Sequence, residues 1–339
     1  MNPVGYLTPY KWEHPVLTGS GAAGTFDEQA VDCPFVFRHE NRYFMMHVGF
    51  DGKGYQTGLA TSDNLLNWQH YGVILRRGEG NGWDTVNVAG CWILRENDIY
   101  GQPALKKWKN KYWLAYHAYP GEGYETGPGR IGLAWTEDPT LLTWNRMPEP
   151  ILKPEDGALW EQGGLYKECL LEHDGLFYLF YNAKNKTEAN KSWVEQTGLA
   201  TSPNLINWTR SAGNPLIRVA PDTWESRFVS DPCVLRLQDK WAMFYFGYDG
   251  KHAQEGIAFS NDLHSWEKHP EPIITHGPDG SLDSKYAHKP SVITHEGVLY
   301  HFYCACRPSL PSDIATCFGT FRTIAVATSK PLAGSQRGL

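Results

Sequence analysis

Residues 57–68 read TGLATSDNLLNW, and the run returns as IGLAWTEDPTLLTW (131–144), TGLATSPNLINW (197–208), EGIAFSNDLHSW (255–266) and, cut short, TIAVATSKPL (323–332). Self-similarity of this kind is weighed before local propensity, because each copy is one supersecondary unit that must stack on its neighbours to bury its apolar face. The tryptophans that close four of the copies, Trp68, Trp144, Trp208 and Trp266, stand 76, 64 and 58 residues apart. That spacing exceeds the roughly 40–50 residues of WD40 and kelch units.

Working outward, each copy follows a hairpin-like pair of runs: 32–50, 102–119, 168–183, 231–248 and 289–305. Each pair has an apolar run, a polar turn such as His39-Glu40-Asn41 or His173-Asp174-Gly175, and then an aromatic run. The Trp is followed by an extended segment of the kind Glu149-Pro150-Ile151-Leu152. Four strands per unit follow, and five such units pack radially so that each sheet covers its neighbour. The sequence therefore predicts an all-β, five-bladed β-propeller of four-stranded antiparallel blades, occupying 1–339 as a single domain. The fifth copy stops near Ser329-Lys330, and its missing Trp and apolar segment stand at the start of the chain as Lys11-Trp12-Glu13-His14-Pro15-Val16-Leu17. Residues 8–17 are expected to complete the last blade and close the ring.

The recurring Trp and the Ser-Asp/Asn before it need only a structural reading, inter-blade core and turn. Function belongs where the copies differ. From an aromatic or leucine plus acid (Phe26-Asp27, Trp160-Glu161, Trp224-Glu225, Leu282-Asp283) a step of seven residues reaches Pro34, Glu168, Pro232 and Pro290. Around that register lie Asp32, Lys167, Glu168, Asp231, His288 and Lys289. Blade two, with Trp83-Asp84, brings Asn87 or Gln102 to that neighbourhood and no certain acid. Carboxylates at inner-strand starts face one another across the mouth of a channel, which suits acid/base work on a glycosidic bond. An Asp before Pro is also an ordinary turn or cap, and both readings stand for each acid taken alone.

Composition narrows the partners. The net charge of −6 gives no electrostatic reason to expect nucleic acid. The basic run Lys106-Lys107-Trp108-Lys109-Asn110-Lys111 falls at an expected turn. No apolar run reaches membrane-span length, and the N-terminus lacks a signal-peptide pattern, so no membrane is expected and the chain reads as cytoplasmic, or secreted if a leader has been trimmed. The 7 cysteines fit neither CxxC pairs nor the sequence spacing of a zinc site, and reduced, buried thiols are expected.

At these residues the chain resembles the five-bladed propeller glycoside hydrolases (families 32, 43, 62, 68 and 117) and, more distantly, the family 130 phosphorylases. The resemblance implies a base at Asp32 in VDCPFVF, an acid at Glu168 in YKECLL and a pKa-modulating Asp231 in SDPCVL. In families 32 and 43 the modulator precedes the acid, whereas Glu168 precedes Asp231 here, so those two roles are open to exchange. His288 matches a channel histidine that in some relatives binds a metal or its water, which makes calcium, with oxygen ligands, the candidate ion; no cofactor is otherwise required. Lys167, Arg227 and Lys289, with His288, are expected to contact substrate, Trp83 and Trp224 to stack on sugar rings, and Arg307 to hold a sugar or pair within the scaffold. The expected activity is glycosidase action on an oligosaccharide, inverting and exo-acting on a furanoside or a plant or algal glycan. The alternatives are a family 130-like phosphorylase, using Lys167, Arg227, His288 and Lys289 for phosphate, and a non-catalytic carbohydrate-binding propeller.

Overall fold

The computed structural model describes residues 2–78, 82–187, 192–333 and 335–337. After the short strands β1 (Tyr10–Trp12) and β2 (Leu17–Thr18), the chain forms successive antiparallel units. The first is β3 (Ala30–His39), β4 (Arg42–Phe50), β5 (Tyr55–Ser62) and β6 (Gln69–Leu75); the second is β7 (Ala89–Ile93), β8 (Tyr112–Ala118), β9 (Arg130–Thr136) and β10 (Asn145–Arg146). A third follows in β11 (Gly164–His173), β12 (Leu176–Lys184), β13 (Glu195–Ser202) and β14 (Thr209–Arg210), and a fourth in β15 (Phe228–Leu237), β16 (Lys240–Tyr248), β17 (Ala253–Ser260) and β18 (Glu267–Lys268). The last comprises β19 (Tyr286–His295), β20 (Val298–Pro308) and β21 (Thr320–Thr328), with β22 (Ser335–Arg337) at its edge. The N-terminal strands pair with β21, through Tyr10↔Thr328, Lys11↔Ala327 and Leu17↔Ile324. Among the described residues no helix is long and apolar enough to cross a membrane.

The repeat's residues are explained by one packing scheme. Leu65, Leu141, Leu205 and Leu263 adopt φ of 60–65° and are buried, and their carbonyls accept the indole N–H of Trp68, Trp144, Trp208 and Trp266 at 3.0, 2.7, 3.1 and 3.1 Å. The indoles then reach a neighbouring unit: Trp266 sets its edge against Phe180, and Trp68 against Phe302. The glycine of the run is required by a second contact. A Cβ on Gly58, Gly132, Gly198 or Gly256 would stand 2.5–2.6 Å from Phe26, Trp83, Trp160 or Trp224 respectively. Each Trp of that set stacks on the tyrosine of the second strand, and the acid beside it accepts that tyrosine's hydroxyl: Tyr116 to Asp84 at 2.7 Å, Tyr181 to Glu161 at 2.9 Å, Tyr245 to Glu225 at 2.8 Å.

The second unit differs from the expected hairpin. Its first strand is Ala89–Ile93, and 102–111 is an insertion that carries only isolated bridges such as Trp108↔Lys111. The aromatic-rich pattern of 102–119 conceals this, because Trp108 is used to pack under Trp113 and Phe177. The basic run there is a turn whose cations lie over rings, Lys107 on Tyr112, Lys109 on Trp108 and Lys111 on Trp135. All seven cysteines are free and buried.

Candidate active site

The first strand of each unit carries an irregularity at the register picked out above. Residues 33–34 oppose a single residue between the pairs Asp32↔Val48 and Phe35↔Met46, and the same two-against-one step follows Tyr166, Ser230 and His288. Cys33, Lys167, Asp231 and Lys289 occupy these bulges with φ of 56, 53, 60 and 67°. Left-handed backbone is uncommon for such residues, and its recurrence at equivalent places re-aims four side chains to one point. All four line a cavity of about 400 Å³. The second unit shifts register between Gly90 and Trp92, which puts Cys91 at the corresponding step.

Asp32 lies beneath this floor. Its Oδ2 accepts Lys289 Nζ at 2.6 Å and the Tyr124 hydroxyl at 3.2 Å, and its Oδ1 accepts the Cys33 N–H at 2.9 Å. Burial pushes the carboxyl up, yet Lys289 and Arg322 hold it well below the usual range, so it is ionised. Asp231 is pushed the other way by burial, against the pull of Lys167 at 3.4 Å, and it exchanges hydrogen bonds with Asn182 in both directions. The His288 ring donates from Nδ1 to the Cys304 carbonyl at 2.8 Å; burial and Lys289 lower its pKa to about 3, so it presents a neutral Nε2. Among the described residues, the other donors grouped with His288 are the Lys289-bound Asp32 carboxylate and the Cys304 thiol. Calcium takes six to eight oxygens. That donor set does not fit it.

Not every expected residue reaches the cavity. Lys167, Asp231, His288, Lys289 and Arg227 line it, whereas Glu168 faces His117 and Cys91 behind it. Trp83 and Trp224 are stacked on Tyr116 and Tyr245 against glycines of the third strands, and the rings that line the cavity are Tyr119, Tyr124, Tyr166, Trp193, Tyr248 and Tyr286 among others. Arg307 pairs with Asp313 at 2.7 Å outside this cavity.

Sequence reasoning missed the lip of the cavity. Glu195 opens β13 with its carboxylate accepting the Trp193 indole N–H at 2.8 Å and the Ser230 hydroxyl at 3.0 Å. Its cross-strand partner Lys184 reaches Glu125 at 3.2 Å, with the ammonium 4.8 Å from the centre of the Tyr166 ring. Burial raises the Glu195 pKa despite Lys184, while Glu125, also pushed up by burial, is drawn below its ordinary value by Lys184 and Lys289. Two carboxyl groups on one cavity wall are thus displaced in opposite directions in proton affinity. A signal existed for Glu195: two residues before the Thr-Gly of the repeat, where the first and fourth units have Tyr55 and Ala253, the third has an acid. Glu125 lies between β8 and β9, outside the repeat, and had none.

A family model described as "Glycosyl hydrolases family 32 N-terminal domain" matches residues 96–283, and the chain belongs to this family. A solved structure described as a BT0996 complex with RGII is 31% identical, with a TM-score of 0.81 over 97% of this protein and 94% of that one. Another, described as a glycoside hydrolase, is 30% identical, with a TM-score of 0.80 over 96% and 93%. A β-1,2-mannobiose phosphorylase of Thermoanaerobacter sp. (strain X514) is 27% identical over 158 residues, covering 43% of this chain and 52% of its own. The chain spans about half the length of that curated relative.

Proposed function

We propose that the chain is an exo-acting, inverting glycosidase that binds the end of an oligosaccharide in the axial cavity. The carrying observation is the lip pair: Glu195, whose proton affinity burial raises, serves as the acid for the leaving oxygen, and Glu125, whose carboxyl Lys184 draws down, as the base for water. Lys184 pairs with Glu125 and lies across the strand from Glu195, and the inverting outcome, in which a water enters between acid and base, is the one assayed first. A cavity of about 400 Å³ suits a terminal sugar better than a long glycan. The likeness to the RGII complex supports a plant-type glycan, with furanosides the first to assay. Asp231, on the floor, is the third carboxyl of the site, and Asp32 acts by holding Lys289 in place. The test is monosaccharide release followed by NMR: the inverted anomer appears first, and first release of the retained anomer refutes inversion.

Phosphorolysis is the second reading, favoured by the phosphorylase relative. Two of the lining cations are already paired, Lys289 with Asp32 and Lys167 with Asp231, so a phosphate dianion would fall to Arg227 and Arg322. Turnover that requires phosphate and yields a sugar 1-phosphate would establish it. Binding without turnover would establish the non-catalytic reading.

The scaffold we infer is one five-bladed propeller over 1–339, closed by the N-terminal strand; the pairing of β1 and β2 with β21 supports it. Deleting residues 1–17 should expose the edge of β21 and cause aggregation. A monomeric deletion variant with unchanged Tm would refute closure.

A further inference from the structure

At the cavity floor, which His117 lines, three side chains from two units converge: Cys91 on β7, His117 on β8 and Glu168 on β11. The thiol sulfur is 3.4 Å from His117 Nδ1, and that nitrogen is 3.3 Å from Glu168 Oε1. One ligand atom from each residue falls within 4.8 Å of the others, and all three residues are buried. His117 Nδ1 accepts the backbone N–H of Lys167 at 3.2 Å, so it carries no proton, and a metal bound there would replace that amide hydrogen bond. Glu168 has a side chain of 0% exposure, and its Oε1 has no hydrogen-bond partner among the described residues. A sulfur, an imidazole nitrogen and a carboxyl group therefore face one another, the nitrogen being held by the Lys167 amide.

The geometry points to a zinc ion held by Cys91, His117 and Glu168. Sulfur, imidazole nitrogen and carboxylate oxygen are zinc's preferred donors, and bonds of about 2.0–2.3 Å in a tetrahedron place neighbouring donor atoms about 3.3–3.6 Å apart. The measured separations are of that size. A thiolate and a carboxylate balance the charge of the ion. Beside the triad is a space of about 20 Å³, lined by Cys91, Trp92, Lys167, Glu168, Asp231 and Lys289 among others, enough for one water as the fourth ligand. The three ligands are 26 and 51 residues apart in sequence and meet only because adjacent units bring their first strands together, so no spacing motif announces them. Zinc there would pin β7 and β8 to the bulge that aims Lys167 into the cavity.

The test uses the full chain exposed to zinc and then passed through metal-free buffer, with metal content measured by elemental analysis, and a parallel sample loaded with cobalt. About one zinc per chain should remain, and the cobalt protein should show a near-ultraviolet thiolate-to-metal band. Cys91→Ser should lose the band while Cys33→Ser keeps it. No retained zinc in the parent, or a band that persists in a folded Cys91→Ser, overturns the site. Should Cys91→Ser fail to fold, the parent's zinc content and cobalt band decide alone. Neither readout depends on turnover, so failure here leaves the glycosidase proposal standing.

Discussion

The floor and the lip of the cavity are built from the same kinds of residue and do different work. On the floor, charges are locked in pairs: Asp32 takes the Lys289 ammonium at 2.6 Å, both groups are buried, and each holds the other charged. On the lip, Lys184 reaches Glu125 at 3.2 Å and lies across the strand from Glu195, and the two carboxyls are driven apart in proton affinity. A locked pair maintains geometry, whereas a divided one can move a proton.

The largest effect should come from breaking the lip. Glu195→Gln and Glu125→Gln each remove a proton-transfer role at nearly constant volume, so turnover should drop by about 10²–10⁴-fold with Tm little changed. A fall of that size in Glu168→Gln, with the lip variants active, would move the chemistry below the floor. The floor should respond in stability instead. Lys289→Met leaves a buried carboxylate without its partner, a loss of about 3–5 kcal/mol, and adding Asp32→Asn should recover much of it. Chemical denaturation checks this, and an unaltered midpoint in Lys289→Met would show the pair is not locked.

Acidity separates the two regions further. Asp32 has a folded pKa below its unfolded value, so its contribution to stability is present above that unfolded value, about 3.9, and is lost as pH falls through the folded one. Asp32→Asn should therefore flatten the acid limb of the Tm–pH curve below about pH 4. Glu195 has the opposite displacement, which keeps the acid protonated above its ordinary range, so the alkaline limb of kcat/KM should vanish in Glu195→Gln. The smallest effect belongs to the scaffold shared by both: Gly256→Ala pushes a Cβ against Trp224 and should cost about 1–3 kcal/mol without altering the pH profile.

The sequence disclosed more of the floor than of the lip, for a physical reason. Repeat register located Asp32, Lys167, Asp231 and Lys289 within two residues of one another's equivalents, because the bulges occur at the same step in each of those units. Within the segment 8–17, expected to complete the last blade, Tyr10, Lys11 and Leu17 pair with β21. The stacking of Trp83 and Trp224 on Tyr116 and Tyr245 was not legible, because a ring beside an acid suits a sugar site as well as it suits that stack. The second unit's first strand was hidden by an insertion with a strand-like pattern of its own. Glu125 sits in a loop that no register reaches, and the depth of Glu168 behind the floor is set by a bulge that sequence alone does not reveal.

The central claim is that Glu195 is the proton donor, and leaving-group rescue tests it most directly. With an activated aryl glycoside, whose leaving group needs little protonation, Glu195→Gln should regain much of its lost rate, while Glu125→Gln, deprived of its base, should not. Rescue of Glu168→Gln or of Asp231→Asn in place of Glu195→Gln would contradict the account.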